Sequence, residues 1–121
     1  MARPFELKRK STLALRQRRM SLLHQLRPPP ELLRASCVEQ FLTCGKAACP
    51  CHRGHKHGPY YYLTLCLGVG KVRKFLLKTP EQQHQARTGS AAYAQFMEQV
   101  EELSQINAEL LRRGDSLALG Q

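Results

Sequence analysis

Residues 44–62 carry the sequence CGKAACPCHRGHKHGPYYY, and the rest of the fold is organised around this stretch. It holds three of the five cysteines and three of the five histidines within fourteen positions. Thiolate sulfur and imidazole nitrogen are the ligands of tetrahedral structural zinc, and a loop can wrap such an ion when short spacers separate its ligands. The spacing C-x4-C-x-C-x5-H therefore predicts a zinc loop.

Four side chains are predicted to bind Zn²⁺ in this loop: Cys44, Cys49, Cys51 and His57. His52 and His55 are rivals for the fourth position. His57 is preferred because Gly58-Pro59 ends the loop directly after it and begins a β-rich run, so that His57 would fix the loop to a strand. His52 directly follows Cys51, and neighbouring residues reach one ion with difficulty.

Two other interpretations of the cysteines are weaker, while another metal or a metal cluster stays open. A disulfide with free thiols is disfavoured by the odd cysteine total and by the lack of a secretory signal pattern, since disulfides belong mainly to oxidising compartments. A catalytic zinc keeps an open position for water and normally has a carboxylate nearby as a base. No Asp or Glu occurs between residues 44 and 77, so we expect a structural site and no enzyme.

The run C-G-K-x-x-C-x-C followed by H-G-P-Y resembles the signature of a family of short, mostly uncharacterised bacterial and archaeal proteins. These are often encoded beside transposases, integrases or other mobile-element genes. The similarity covers roughly residues 35 to 111 and implies a small zinc-binding accessory protein. In that pattern the positions of the four predicted ligands recur, and those of His52 and His55 do not. The basic amino-terminal extension of this chain departs from the pattern.

The net charge of +10 is unevenly distributed along the chain. Residues 1–27 hold eight Lys or Arg against one Glu, residues 59–78 have a net charge of +4, and residues 79–121 have a net charge of −3. A surface this positive would neutralise phosphates and release their counterions, so we expect salt-dependent binding to nucleic acid, DNA first and RNA as the alternative. A merely solvated basic face and binding to anionic lipid are the other interpretations.

The predicted phosphate contacts come from two parts of the chain. The first part is the amino-terminal arm and helix, with Lys8, Arg9, Lys10, Arg16, Arg18 and Arg19. The second surrounds the zinc loop and the following hairpin, with Lys46, Arg53, Lys56, Lys71, Arg73 and Lys74. Together they predict a non-enzymatic nucleic-acid-binding accessory protein, and the resemblance adds that it helps a recombinase or transposase on DNA. The alternative is an adaptor that docks on a larger enzyme through the zinc unit and the final helix.

The element pattern predicts an α+β fold in four segments. A basic arm and helix occupy residues 1–30, the helix being capped at Ser11 or Thr12 and ended by the prolines at 28–30. The zinc loop and β-hairpin occupy 31–78, with strands over 36–43, 60–67 and 71–77 and a glycine turn at 68–70. C-terminal helices occupy 79–114, and 115–121 form a tail. Cys37 and Cys66 are expected to be buried small hydrophobes.

The C-terminal segment is predicted as a short helix from Pro80 to about Ala86, a break at residues 88–90, and a final helix over about 91–113. The final helix has heptad spacing at Tyr93, Phe96, Val100, Leu103, Asn107 and Leu110. A seam asparagine can fix two-stranded register at some cost in stability, so a homodimer is possible and Asn107→Leu would then raise stability. Packing of this stripe on the chain's own elements is the other interpretation.

Neither a membrane span nor a secretory signal is expected. No apolar run approaches eighteen residues, and the charged start of the chain has no uninterrupted apolar stretch behind it. The composition therefore predicts a cytoplasmic protein.

Overall fold

The computed structural model describes residues 4–118 and confirms the predicted α+β class, with two α-helices and a three-stranded antiparallel sheet. The elements are α1 (Thr12–Gln25), β1 (Ala35–Leu42), a 3-10 turn (Pro50–Arg53), β2 (His57–Gly68), β3 (Lys71–Leu76) and α2 (Pro80–Arg112). Over residues 4–118, no helix is both long enough and apolar enough to cross a membrane.

The contacts divide the chain into two compact units. The helical unit consists of Met1–Pro29 and Ala94–Gln121, and the sheet unit consists of Pro30–Tyr93. Helix α2 contributes residues to both. The four-segment division drawn from the sequence stays a prediction, and its residues 1–3 and 119–121 lie outside the described part of the chain.

Helix α1 forms where the sequence places it. The hydroxyl of Ser11 accepts a hydrogen bond from the Ala14 amide at 3.0 Å, which satisfies one of the free donors of the first turn. Leu15 and Leu22, seven residues apart and so on one side of the helix, are fully buried. They form the core of the helical unit with Leu7, Ile106 and Leu110.

The ends of the predicted arm and tail contact the helices of this unit. Leu7 is buried in its core, and the Phe5 amide donates to the Gln105 side chain at 2.8 Å. Leu117 packs against the same core. The predicted arm and tail therefore carry contacts of the folded unit.

In the sheet unit, β2 lies between β1 and β3. One sheet face carries Leu63, which is buried with Leu77 and with Ala86 of α2. Tyr61 and Leu65, two residues to either side of Leu63 on β2, pack on the same cluster. The hairpin and its glycine turn agree with the sequence prediction.

The break predicted at residues 88–90 is wrong, because α2 continues without interruption from Pro80 to Arg112. Gly89 is buried, and a methyl group there would lie 2.7 Å from Leu33 Cδ1 and closer still to the Glu31 carbonyl oxygen. The Gly89 carbonyl also accepts from the Leu33 amide at 3.1 Å. The glycine is thus explained by a close approach of backbones within the sheet unit, not by a turn.

Two further expectations change. Cys66 is exposed and Cys37 is half-buried, because Cys66 faces away from the sheet side that packs on α2. At the C-terminal end of the heptad stripe, Leu103 and Leu110 pack in the core of the helical unit with residues of α1. These two residues of the stripe are therefore packed within one chain, and self-association through the stripe stays a prediction.

Candidate metal centre and basic sheet unit

Four side chains converge where the sequence predicts a zinc site. The ligand atoms of Cys44, Cys49, Cys51 and His57 all lie within 4.8 Å of one another. The Sγ atoms of Cys44 and Cys51 are 3.6 Å apart, and Cys49 Sγ is 3.3 Å from His57 Nε2. Metal–sulfur and metal–nitrogen bonds of about 2.3 and 2.0 Å imply tetrahedron edges of roughly 3.5–3.8 Å. The spacing fits one ion, and it is far longer than a disulfide bond of about 2.05 Å.

Local backbone structure sets these positions. Cys49 precedes the 3-10 turn and Cys51 lies inside it, where Pro50 supplies the fixed φ of its first residue. Gly54 ends the turn with φ of 101°, a conformation that side chains with a Cβ rarely adopt. The Cys44 amide donates to Cys51 Sγ at 3.3 Å, which stabilises a thiolate there.

His57 is the first residue of β2 and pairs with Leu42 at the end of β1, next to an irregularity in the register. Gly58 follows, with φ of 135°, and a Cβ on it would lie 2.9 Å from the Gln40 carbonyl oxygen. Only glycine fits this close approach without a shift. The expectation that His57 joins the loop to a strand is confirmed.

The two rival histidines lie outside the group of converging ligand atoms, and both are exposed. His52 lies within the 3-10 turn and His55 follows Gly54. The site therefore offers three sulfurs and one nitrogen, which is a complete tetrahedral set.

The thiols are electrostatically unequal. The pKa of Cys44 is lowered to about 6, first by a backbone hydrogen bond at Lys46 and then by His57 and Cys49. The pKa of Cys51 is raised, chiefly because burial disfavours its thiolate. A bound cation would reverse this second effect, since thiolates are the form that binds metal.

The cations around this centre lie on the surface, and within residues 4–118 none of them forms an ion pair with an acid. The six predicted contacts of the sheet unit are all exposed: Lys46, Arg53, Lys56, Lys71, Arg73 and Lys74. The ion pairs Arg16–Asp115, Arg18–Glu102, Arg112–Glu109 and Arg113–Glu109 all join residues of the helical unit. No acid occurs between Glu39 and Glu81, so the loop and strands β2 and β3 carry only positive formal charge, and Glu39 of β1 is the one acid within the strands.

The arginines of α1 are placed differently from the expectation. Arg19 was expected on a face that meets water or phosphate, but it is buried, with 5% of its surface exposed. Its Nε donates to Asn107 Oδ1 at 2.8 Å, and its Nη2 donates to the Leu117 carbonyl. The α1 face that carries Arg19 thus packs inside the helical unit.

The neighbouring arginines form ion pairs within the chain. Arg18 binds both carboxylate oxygens of Glu102, at 2.7 and 2.8 Å, and Arg16 lies 2.9 Å from the Asp115 carboxylate. These contacts raise the pKa of both guanidinium groups. Lys8, Arg9 and Lys10, the remaining cations predicted for the arm, are exposed.

Four residues that the sequence did not predict as binding residues lie together on the sheet face opposite Leu63: Gln40, Tyr60, Tyr62 and Thr64. Lys74 joins them, with its Nζ 2.8 Å from Gln40 Oε1 and 4.4 Å from the centre of the Tyr62 ring. Alternation along a strand predicts that Tyr60 and Tyr62 share a face. Which residue of β1 lies beside them depends on the register, which a single sequence does not give.

Comparison with protein families places residues 12–78 in DUF6788, a domain of unknown function. The match covers more than half of the chain and includes α1, the metal centre and all three strands. The chain therefore belongs to the DUF6788 family. No curated protein and no solved structure matches the chain.

Proposed function

We propose that this chain is a zinc-stabilised, non-enzymatic nucleic-acid-binding accessory protein whose main contact surface is the sheet unit. In this proposal the metal shapes the loop and does no chemistry. Basic side chains around it contact phosphates, and the amino-terminal arm adds further positive charge.

The observation that carries the proposal is the different placement of cations in the two units. The sheet unit has nine basic residues against three acids, and all nine are exposed. In the helical unit the arginines of α1 are occupied by contacts within the chain. Unpaired cations attract phosphates, and binding to nucleic acid gains from the counterions that they displace.

Zinc is the proposed ion because the donor set contains three soft thiolates and one imidazole, all close enough for a tetrahedron. Three thiolates and one Zn²⁺ together carry a formal charge of −1, which leaves the exposed lysines and arginines of the unit in excess. Four protein donors fill the coordination sphere. The site then has no open position for a water or a substrate, which supports a structural role.

Assistance to a mobile-element recombinase or transposase on DNA is the finer part of the proposal. It rests on the resemblance of the C-G-K-x-x-C-x-C and H-G-P-Y runs to proteins encoded beside such enzymes. Co-purification of the zinc-loaded chain with a recombinase from its own host, dependent on DNA, would support it. Association that survives nuclease treatment would instead indicate direct protein binding.

A salt titration tests nucleic-acid binding. Affinity of the zinc-loaded chain for a fluorescent oligonucleotide is measured by anisotropy between roughly 50 and 200 mM salt, where the slope of log K against log salt is about −0.9 per neutralised phosphate for duplex DNA. The loop variant replaces Lys46, Arg53 and Lys56 with Gln. The control replaces three other exposed cations with Gln: Arg27, Arg34 and Lys78.

We expect the loop variant to flatten the slope by about two units and the control, with the same net charge, by less than one. Equal losses would assign binding to net charge alone. A wild-type chain that binds neither duplex nor single strands at low salt would refute the proposed function. Cobalt substitution gives the matching test of the metal, since a tetrahedral thiolate site produces a strong visible spectrum.

One observation favours an adaptor as the second candidate. Large apolar side chains are exposed on both sides of the sheet, among them Phe41, Val72 and Phe75, at 51%, 62% and 46% exposure. Exposed apolar surface is typical of protein contacts. An adaptor would bind its protein partner equally well after the loop substitutions above, whereas a nucleic-acid-binding protein would bind its ligand more weakly.

A further inference from the structure

We infer that the sheet face turned away from α2 binds single-stranded nucleic acid, with a base stacked on Tyr60 and a phosphate on Lys74. This rests on the proposed function and names both the form of the nucleic acid and the residues that select it.

The two faces of the sheet differ in what covers them. Cross-strand pairs share a face, so Cys37, Leu63 and Phe75 lie on one side, and Val38, Tyr62 and Leu76 lie on the other. The first side contains the buried cluster with Ala86 of α2. No residue of the second side belongs to either buried cluster.

The uncovered face has the composition of a stacking surface. Its central strand presents Tyr60 and Tyr62, and the flanking strands present Gln40 and Lys74. The one acid within the strands, Glu39, is opposite Tyr61 and so on the other face. Aromatic rings on an open sheet provide π-faces for bases, and such stacking tolerates any base.

Tyr60 is the open ring of the pair. It is 37% exposed, and the described residues offer its hydroxyl no hydrogen bond and its ring no cation. Tyr62 is different because the Lys74 ammonium lies over its ring. A base can stack on Tyr60 without displacing anything, whereas the Tyr62 ring is already paired.

Lys74 is held on this face before any ligand arrives. Its Nζ donates to Gln40 of β1 and lies over the Tyr62 ring of β2. This group of three side chains therefore connects all three strands. An ammonium already confined in this way loses less conformational entropy when a phosphate binds. Its hydrogen bond to Gln40 uses one of its three donors, so two stay available.

Spacing favours a single strand over a duplex. Side chains two residues apart on a strand are rooted about 6.8 Å apart, twice the rise of about 3.4 Å per nucleotide along one strand of duplex DNA. A ring can reach a base face only where the strand is extended and its bases are unstacked. A duplex hides those faces and would meet the same surface through phosphates alone.

Anisotropy with two probes tests the inference on the zinc-loaded full chain: an oligothymidylate of about 20 nucleotides and a mixed-sequence duplex of equal length. Tyr60→Leu keeps apolar bulk but removes the ring, and Tyr60→Phe keeps the ring. Phe75→Leu is the matched control, since it removes an exposed aromatic ring from the opposite face. Lys74→Gln is compared with Lys71→Gln, which removes equal charge from the same strand.

We expect Tyr60→Leu to weaken oligothymidylate binding about tenfold and Tyr60→Phe and Phe75→Leu to change it less than about twofold. Lys74→Gln should weaken it more than Lys71→Gln. Duplex affinity should be equal in wild type and the Tyr60 variants. Retained zinc at one ion per chain shows that each variant is folded, and photo-crosslinks from an iodouracil-substituted strand should map to Tyr60.

The failures of the two proposals are distinguishable. Salt-dependent binding that is unaffected by Tyr60→Leu, or tighter binding to the duplex than to the single strand, would overturn this inference and leave the proposed function intact. Crosslinks found only outside the uncovered face would overturn it as well. An absence of binding to both probes would overturn both.

Discussion

Replacement of Asn107 by Leu separates two explanations of the heptad stripe on α2. A coiled-coil seam predicts that Asn107→Leu gains stability. The structure predicts a loss, because Asn107 Oδ1 accepts a 2.8 Å hydrogen bond from Arg19, whose side chain is buried. A hydrogen bond to a charged group contributes about 1.5–3 kcal/mol. The added leucine surface offsets about 1 kcal/mol of that, which leaves a net loss of about 0.5–2 kcal/mol.

Urea denaturation of the zinc-loaded protein, followed by far-UV circular dichroism, measures this change. With an m-value of about 1.5 kcal/mol/M, the midpoint should fall by about 0.3–1.3 M. Asn107→Asp is the matched control, because it keeps an acceptor opposite Arg19 and should be at least as stable as wild type. Sedimentation velocity on each variant records whether the oligomeric state changes.

A double-mutant cycle completes the argument. Arg19→Met with Asn107→Leu removes the buried charge together with its acceptor, and apolar replacement of both partners is often nearly neutral. We therefore expect the double variant to be more stable than Asn107→Leu alone, with a coupling of about 1.5–3 kcal/mol. An Asn107→Leu protein as stable as wild type, or an additive cycle, would refute the role assigned to this hydrogen bond.

Three other substitutions test separate parts of the structure. Gly89→Ala should destabilise the protein by about 1–3 kcal/mol through overpacking against Leu33, although alanine is the better helix former by about 1 kcal/mol; a raised thermal midpoint would contradict this. The pKa of Glu109 is lowered to about 2 by Arg112 and Arg113. A carboxyl group whose pKa is lowered by folding stabilises the fold at any pH above its ordinary pKa of 4.5. The difference in unfolding free energy between wild type and Glu109→Gln should therefore shrink as the pH falls from 4.5 to 2 and stay constant above pH 4.5. Finally, Cys49→Ser or a strong chelator should abolish the protection of β1–β3 amides from hydrogen exchange, whereas Cys66→Ser, at an exposed thiol, should leave it unchanged. Protection that survives chelation would show that the metal does not stabilise the sheet.

The parts of the fold that the sequence predicts well are those specified by neighbours along the chain. The predicted zinc ligands lie within fourteen positions, the cap of α1 is three residues from its donor, and the hairpin turns through the two residues between Gly68 and Lys71. Each depends on short spacers and on local φ preferences. Their residue types are therefore sufficient to place them.

The parts that were missed depend on contacts distant in sequence. Gly89 was interpreted as a helix break because its partners, near Leu33, are more than fifty positions away. Arg19 was placed on an open face because its acceptors at Asn107 and Leu117 are more than eighty positions away. Glycine is a common helix breaker and arginine is commonly exposed, so the residue types predict a break and an open face. Packing against distant residues produces a continuous helix and a buried arginine instead.

The placement of acids explains why net charge along the sequence does not by itself locate the proposed contact surface. The front of the sequence is its most basic stretch, but six of the nine acids belong to the helical unit. Three of these acids, Glu102, Glu109 and Asp115, pair with arginines of α1 and of the C-terminal turn. The sheet unit holds only three acids, and its strands and loop between Glu39 and Glu81 hold none. In the proposed binding mode a phosphate would meet exposed cations around the metal centre, whereas at α1 it would first have to displace carboxylates such as Glu102. Since displacing a bidentate carboxylate costs much of what the phosphate gains, binding should favour the sheet unit.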